Sequence, residues 1–131
     1  MDSGRRHLEL RERAEVFALR IIRLYRALPR DSDAQVIGKQ LLRSGTSVGA
    51  NYCAAGRARS KREFIAKIGV VVEEADETVF WLKLLLKSEV VPQKRLEPLL
   101  DEANQLLAIF AASQNTARRR PRKTRTAAEP R

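Results

Sequence analysis

The chain has 131 residues, a formal net charge of +10 and a single cysteine, Cys53. This length fits one domain with a core of its own, while a lone cysteine excludes an internal disulfide and, with no histidine cluster, gives no reason to expect a metal site. No apolar run approaches the ~20 residues that span a bilayer, and charges interrupt the N-terminal segment, so we expect no membrane partner, no secretory signal and a cytoplasmic protein.

The first predicted helix covers residues 8–28. Apolar side chains recur there at every third or fourth position, which is the spacing of one helix face. These positions are Leu10, Ala14, Phe17, Ile21, Leu24 and Leu28. Pro29 ends the helix because proline has no amide hydrogen to donate. Residues 1–7, which include the only histidine, His7, are predicted to be a frayed N-terminus.

The second predicted helix, over residues 33–56, is rich in small side chains. Its predicted inward positions are Ile37, Leu41, Gly45, Val48, Tyr52 and Ala55. Glycine costs a helix ~1 kcal/mol relative to alanine, so Gly45 and Gly49 predict a neighbour whose backbone lies close. Asn51 is the polar residue of interest near this face. We expect its amide to satisfy a partner across a helix contact and to fix the register.

The third and fourth predicted helices cover residues 61–88 and 94–116. Ser60 and Glu63 form a capping box, in which each side chain satisfies an amide of the first turn. The predicted core positions are Phe64, Ile68, Val71 or Val72, Ala75, Val79, Leu82 and Leu86, then Leu96, Leu99, Leu100, Ala103, Leu107 and Phe110. Short connections between long helices predict an all-α fold, an antiparallel up-and-down four-helix bundle over residues 8–117.

One segment of the third helix is apolar on more than its core face. Between residues 79 and 86 Lys83 is the only polar side chain, and Phe80, Trp81 and Leu84 project partly away from the core positions. Complete wrapping by the other helices is one explanation. A contact between subunits is the other, and we favour it because exposed apolar patches usually mark interfaces.

Two basic segments are candidate phosphate-binding sites. The first joins the hinge between helices two and three to an isolated arginine, and its members are Arg43, Arg57, Arg59, Lys61 and Arg62. Guanidinium groups suit phosphate oxygens, but a basic hinge is equally compatible with an ordinary solvated surface. Arg57 and Arg59 are also compatible with ion pairs to the acidic stretch of helix three. That stretch contains Glu73, Glu74, Asp76 and Glu77.

The second basic segment is the tail, residues 118–131. It carries seven basic residues against one acidic residue, a formal charge of +6 that leaves +4 on the rest of the chain. They are Arg118, Arg119, Arg120, Arg122, Lys123, Arg125 and Arg131, against Glu129. Without large apolar residues the tail is predicted to be disordered, and its charge favours salt-sensitive, sequence-independent contact with nucleic acid.

Catalysis finds no support in the sequence. The carboxylates of helix three have no histidine beside them, and Ser44 and Ser47 have no evident general base. A nucleophilic hydroxyl needs such a base within hydrogen-bond reach. We therefore expect no enzyme activity and no cofactor.

Several short motifs carry a resemblance to a known family. They are RSGTSVGANY at residues 43–52, RARS at 57–60 with Phe64 and Lys67, EEADE at 73–77, and Trp81 with Leu82. The chain resembles, over roughly residues 10–115, the bacterial four-helix-bundle proteins encoded by intervening sequences in large-subunit ribosomal RNA genes. That family includes the accessory variability determinant of diversity-generating retroelements. The resemblance implies a ring-like homopentamer that associates with nucleic acid.

These features lead to two hypotheses of function. The favoured one is a non-enzymatic, oligomeric protein associated with RNA or DNA, acting as an adaptor for a partner such as a reverse transcriptase. The alternative is a protein-interaction scaffold that does not bind nucleic acid. In that case the tail serves solubility.

Overall fold

The computed structural model describes residues 2–119 of the chain, which form four helices. These are α1 (Asp2–Ala27), α2 (Ser32–Ala55), α3 (Lys61–Lys87) and α4 (Gln93–Arg119). Each helix packs along the next one, and α1 also packs on α4, whereas within residues 2–119 the backbones of the diagonal pairs α1/α3 and α2/α4 stay apart. The predicted antiparallel up-and-down four-helix bundle is therefore confirmed.

The helix boundaries differ from the prediction mainly at the two termini. Helix α1 begins at Asp2, not at residue 8, so the expected frayed segment is helical. At the other end α4 continues to Arg119 and begins at Gln93, with Pro98 inside it. Pro98 lies in the second turn of α4, where it is exposed and cannot donate the helical hydrogen bond to the carbonyl of Lys94. The predicted disorder of the tail lies outside the described residues from residue 120 onward.

The core follows the predicted helix faces, with shifts of one position near the end of α3 and midway along α4. Leu85 and Leu106 are fully buried, whereas the predicted Leu86 and Leu107 are only partly buried. A spacing of three or of four residues keeps a side chain on the same helix face, so periodicity alone does not separate these neighbours. Ile37 of α2 is also only partly buried.

The glycines of α2 mark the close approach of α1, as the sequence indicates. A Cβ atom at Gly45 would lie 2.9 Å from Cγ1 of Ile21, and one at Gly38 would lie 2.5 Å from Cδ1 of Leu28. Both distances are below ordinary van der Waals contact. Helix α1 therefore rests on the α2 backbone over several turns, and side chains larger than hydrogen would push the two helices apart.

Polar contacts fix the α2–α3 pair. Ser44 and Thr78 are the fully buried polar residues of the described core, and their hydroxyl oxygens lie 2.9 Å apart. Neither is among the predicted core positions.

The N-terminus of α3 is capped as predicted by Ser60, whose hydroxyl accepts the Glu63 amide at 3.0 Å. The Glu63 carboxylate accepts from the amide of Arg59 at 2.9 Å, one residue before the expected donor.

Candidate nucleic-acid interface

The topology gathers positive charge at one end of the bundle. Because successive helices are antiparallel, the start of α1, the end of α2, the start of α3 and the end of α4 meet there. We call this region the basic end and define it by its eight exposed basic residues. They are Arg5, Arg6, Arg57, Arg59, Lys61, Arg62, Arg118 and Arg119. The sequence indicates the last six, but as two separate segments, and gives no sign of Arg5 or Arg6.

The opposite end of the bundle has a mixed charge. It comprises the α1–α2 and α3–α4 connections with the adjoining helix turns. Five exposed basic residues lie there beside four exposed acidic ones. They are Arg26, Arg30, Lys87, Lys94 and Arg95, with Asp31, Asp33, Glu89 and Glu97. The basic end, by contrast, carries three acidic residues within residues 2–119: Asp2 at the first position of α1, the exposed Glu9, and Glu63, which caps α3.

A stack of rings holds the start of α1 onto the basic end. The His7 ring lies 4.5 Å from the Tyr52 ring of α2, and Tyr52 lies 5.0 Å from Phe110 of α4, measured between ring centroids. The hydrogen of Gly56 makes room for His7, since a Cβ there would lie 2.1 Å from His7 Nε2. His7 is thus a packing residue that fixes the helical turn carrying Arg5 and Arg6.

Burial also changes the ionisation of this stack. Desolvation, with a smaller contribution from the charge of Arg11, lowers the pKa of His7 below its ordinary value. Desolvation raises the pKa of the Tyr52 hydroxyl, against a smaller opposing effect of Arg6. Both rings are therefore favoured in their neutral forms near neutral pH.

Two arginines on the sides of the bundle, Arg13 and Arg43, are paired with carboxylates. Arg13 of α1 donates through Nε and Nη2 to Glu102 of α4 at 2.7 and 2.9 Å, and the Glu102 hydrogen bond raises the pKa of Arg13. Arg43 of α2 contacts Glu74 at 3.3 Å and also pairs with Glu77 of α3. Each pair joins two neighbouring helices across their seam.

The pairing sets Arg43 apart from the other phosphate-binding candidates. Its guanidinium is held by two carboxylates and lies midway along α2, remote from the hinge, so it is not part of the basic end, and its contact with phosphate stays a prediction. The same pairs occupy two of the glutamates that are the alternative predicted partners of Arg57 and Arg59. Within residues 2–119, the seven arginines of the basic end take part in no side-chain ion pair.

Asn51 and the apolar segment of α3 have different outcomes. The Asn51 amide donates to the carbonyl of Ser47 at 2.9 Å, within its own helix, so the predicted contact across helices is wrong.

Phe80 is half exposed and meets Trp81 edge-on at a centroid distance of 4.9 Å. Trp81 and Leu84 are partly buried, and Trp81 Nε1 donates to Glu77 at 3.2 Å. A role of these three residues in a subunit contact remains a prediction.

The described chain offers neither a metal cluster nor a membrane span. Between residues 2 and 119, no three His, Cys, Asp or Glu side chains are grouped so as to hold a metal ion. No helix in the same range is both long and apolar enough to cross a membrane.

The fold and the basic end define a class of protein, an all-α bundle with its positive charge concentrated at one end. The sequence model of the 23S rRNA-intervening sequence proteins matches residues 6–112, and the chain belongs to this family. It is similar to a protein of unknown function from the S23 ribosomal protein family of Bacteroides thetaiotaomicron, known from a crystal structure. The two are 34% identical with a TM-score of 0.76, over 82% of this chain and 99% of the other. No curated protein matches the chain.

Proposed function

We propose that this protein is a non-enzymatic, oligomeric nucleic-acid-associated protein whose basic end contacts phosphate groups of RNA or DNA. The supporting observation is the concentration of charge: seven exposed arginines at or beside four helix ends lie together and make no side-chain ion pair within residues 2–119, whereas five exposed basic residues at the opposite end are mixed with four exposed acidic ones. Unpaired guanidinium groups are suited to release counterions from a phosphate backbone. The tail follows α4 from this same end and would add to its charge.

Association of subunits would multiply these weak contacts. The half-exposed Phe80, packed against Trp81, is the apolar surface we assign to it. Linked sites gain affinity without new contacts because the second binding event becomes intramolecular. A five-subunit ring, and an adaptor role beside a reverse transcriptase in a diversity-generating retroelement, rest on the sequence resemblance. A reverse-transcriptase gene with a repeated template beside this gene would support the adaptor role, and their absence would count against it.

Salt-dependent binding tests the proposal. Full-length protein is titrated against labelled RNA and DNA of unrelated sequence, by fluorescence anisotropy, at several salt concentrations. We expect log affinity to fall linearly with log salt, and deletion of residues 118–131 to flatten the slope by roughly 0.7–0.9 for each phosphate that the protein no longer neutralises. RNA and DNA should be affected alike. Absence of binding by the full-length protein at low salt would refute the proposal and favour the protein-interaction scaffold.

A further inference from the structure

The arrangement of the basic end narrows the type of nucleic acid it suits. We infer that this surface binds the two phosphate backbones of a duplex, contacting both sides of a groove, and does not follow a single strand. The inference rests on the proposed function and specifies its ligand. Three features of the described residues carry it: the breadth of the surface, the position of its aromatic rings and the scarcity of exposed apolar side chains.

The first feature is breadth. The basic side chains come from four different helix ends, with Arg5 on α1, Arg57 after α2, Arg62 on α3 and Arg118 on α4. Two helices side by side measure ~20 Å across with their side chains. The grooves of B-form DNA are ~6 and ~12 Å wide. We call these four helix ends the corners of the surface. Arginines at different corners can contact phosphates on both strands at once, whereas a single strand would contact only some of the corners.

The second feature is the use of the aromatic rings. Proteins that hold single strands gain ~1–3 kcal/mol per base by stacking bases on exposed aromatic side chains. Near the basic end, the rings of His7, Tyr52 and Phe110 pack on one another, and Phe64, in the first turn of α3, is partly buried against the core. Phe80 is the exposed large aromatic residue of the described chain, and it lies toward the opposite end of α3. Phosphate contact is therefore the main source of affinity that the basic end offers.

The third feature separates a duplex from an anionic membrane surface. Surface-binding helices combine basic residues with a row of bulky apolar ones that enter the lipid. Among the exposed large apolar side chains of residues 2–119, Leu8 alone lies within one helical turn of the basic-end arginines. One leucine beside seven arginines favours a rigid polyanion over a lipid surface.

The experiment compares a DNA duplex of about two helical turns with each of its strands alone, using the full chain at one salt concentration. We expect the duplex to bind on the order of tenfold more tightly. Three double variants then remove one corner each: Arg5→Gln with Arg6→Gln, Arg57→Gln with Arg59→Gln, and Arg118→Gln with Arg119→Gln. Each should lower the salt slope for the duplex by ~1–2. Lys94→Gln with Arg95→Gln, at the opposite end, is the matched control and should leave the slope unchanged.

The possible results separate this inference from the proposed function. Equal or tighter binding of single strands would overturn the inference while leaving nucleic-acid binding intact, and so would a loss confined to one corner. No binding to any nucleic acid would overturn both. Binding to phosphatidylserine vesicles in place of the duplex would also overturn both and would assign the basic end to a membrane surface.

Discussion

The two ends of the bundle are built from the same helices but carry different surfaces. At the basic end, arginines at or beside the ends of all four helices are exposed, and the carboxylates are few. At the opposite end, positive and negative side chains alternate around two short connections. The difference teaches that antiparallel topology can turn charges that are scattered in the sequence, at residues 5, 57 and 118, into one surface.

The ends also differ in how α1 is fixed to α2. Near the opposite end, Gly38 receives the buried side chain of Leu28 together with the ring of Tyr25, and this contact belongs to the apolar core. At the basic end, Gly56 receives the ring of His7, which is only partly buried. Apolar side chains therefore hold α1 against α2 at the opposite end, whereas a neutral, partly buried histidine ring holds the two helices together at the basic end.

The largest expected effect is the loss of self-association through Phe80 and Trp81. These two residues lie toward the end of α3 that is away from the basic end. Phe80→Asp should separate the subunits while leaving each one folded, because the Phe80 side chain is half exposed in the bundle. Loss of multivalency should then weaken nucleic-acid binding on the order of 10²-fold. Light scattering across a concentration series measures the mass. Val36→Asp, at another exposed apolar residue, is the control, and an unchanged mass for Phe80→Asp would exclude Phe80 from the interface.

A smaller effect should distinguish the two glycine contacts. Gly38→Ala places a Cβ against buried Leu28 and Tyr25, and the overpacking, at ~1–3 kcal/mol, should outweigh the ~1 kcal/mol gained in helix propensity. Gly56→Ala should cost less, since His7 can turn toward solvent. Urea denaturation gives both free energies of unfolding. Gly49→Ala is the control, with Ala14 at an ordinary 3.5 Å, and should stabilise the fold. A larger loss for Gly56→Ala than for Gly38→Ala would reverse the comparison.

The smallest expected effect is a pH dependence of the basic end. Folding lowers the pKa of His7 below its ordinary value of 6.5, through burial and the charge of Arg11. The unfolded chain therefore takes up the proton first as the pH falls through this value, and stability decreases with it. Arg6 faces the same stack from α1, and Tyr52 stays neutral in this range. The free energy of unfolding, measured by denaturation between about pH 7.5 and pH 5.5, should decrease as the pH falls. The variant His7→Gln should show a smaller decrease. An identical profile for the variant would contradict this role of His7.

Much of the fold is predictable because it depends on local signals. Apolar spacing locates the four helices, Ser60 caps α3 as expected, and Gly45 indicates the close approach of α1. The start of α1 escapes prediction because the ring contact between His7 and Tyr52 joins residues far apart in sequence. Nothing in residues 2–7 themselves, which have little apolar character, indicates a stable helix.

The candidate site is less predictable, since it depends on which side chains the packing brings together. The sequence identifies the hinge and the tail as basic but does not show that both lie beside Arg5 and Arg6. It also cannot show that Arg43 faces Glu74 and Glu77, because that depends on the relative rotation of α2 and α3. The amide of Asn51 can reach either its own helix or a neighbouring one, and only the structure shows that it bonds within its own helix.

The central claim is that the basic end, and not the overall charge, binds nucleic acid. The most direct test removes three charges from each end of the full chain and compares the salt dependence of binding. Arg57→Gln, Arg59→Gln and Arg62→Gln together should lower the slope of log affinity against log salt by roughly 2–3. Lys87→Gln, Lys94→Gln and Arg95→Gln together should leave the slope unchanged. Equal losses for the two triple variants would contradict the claim, because they would show that net charge alone determines the affinity.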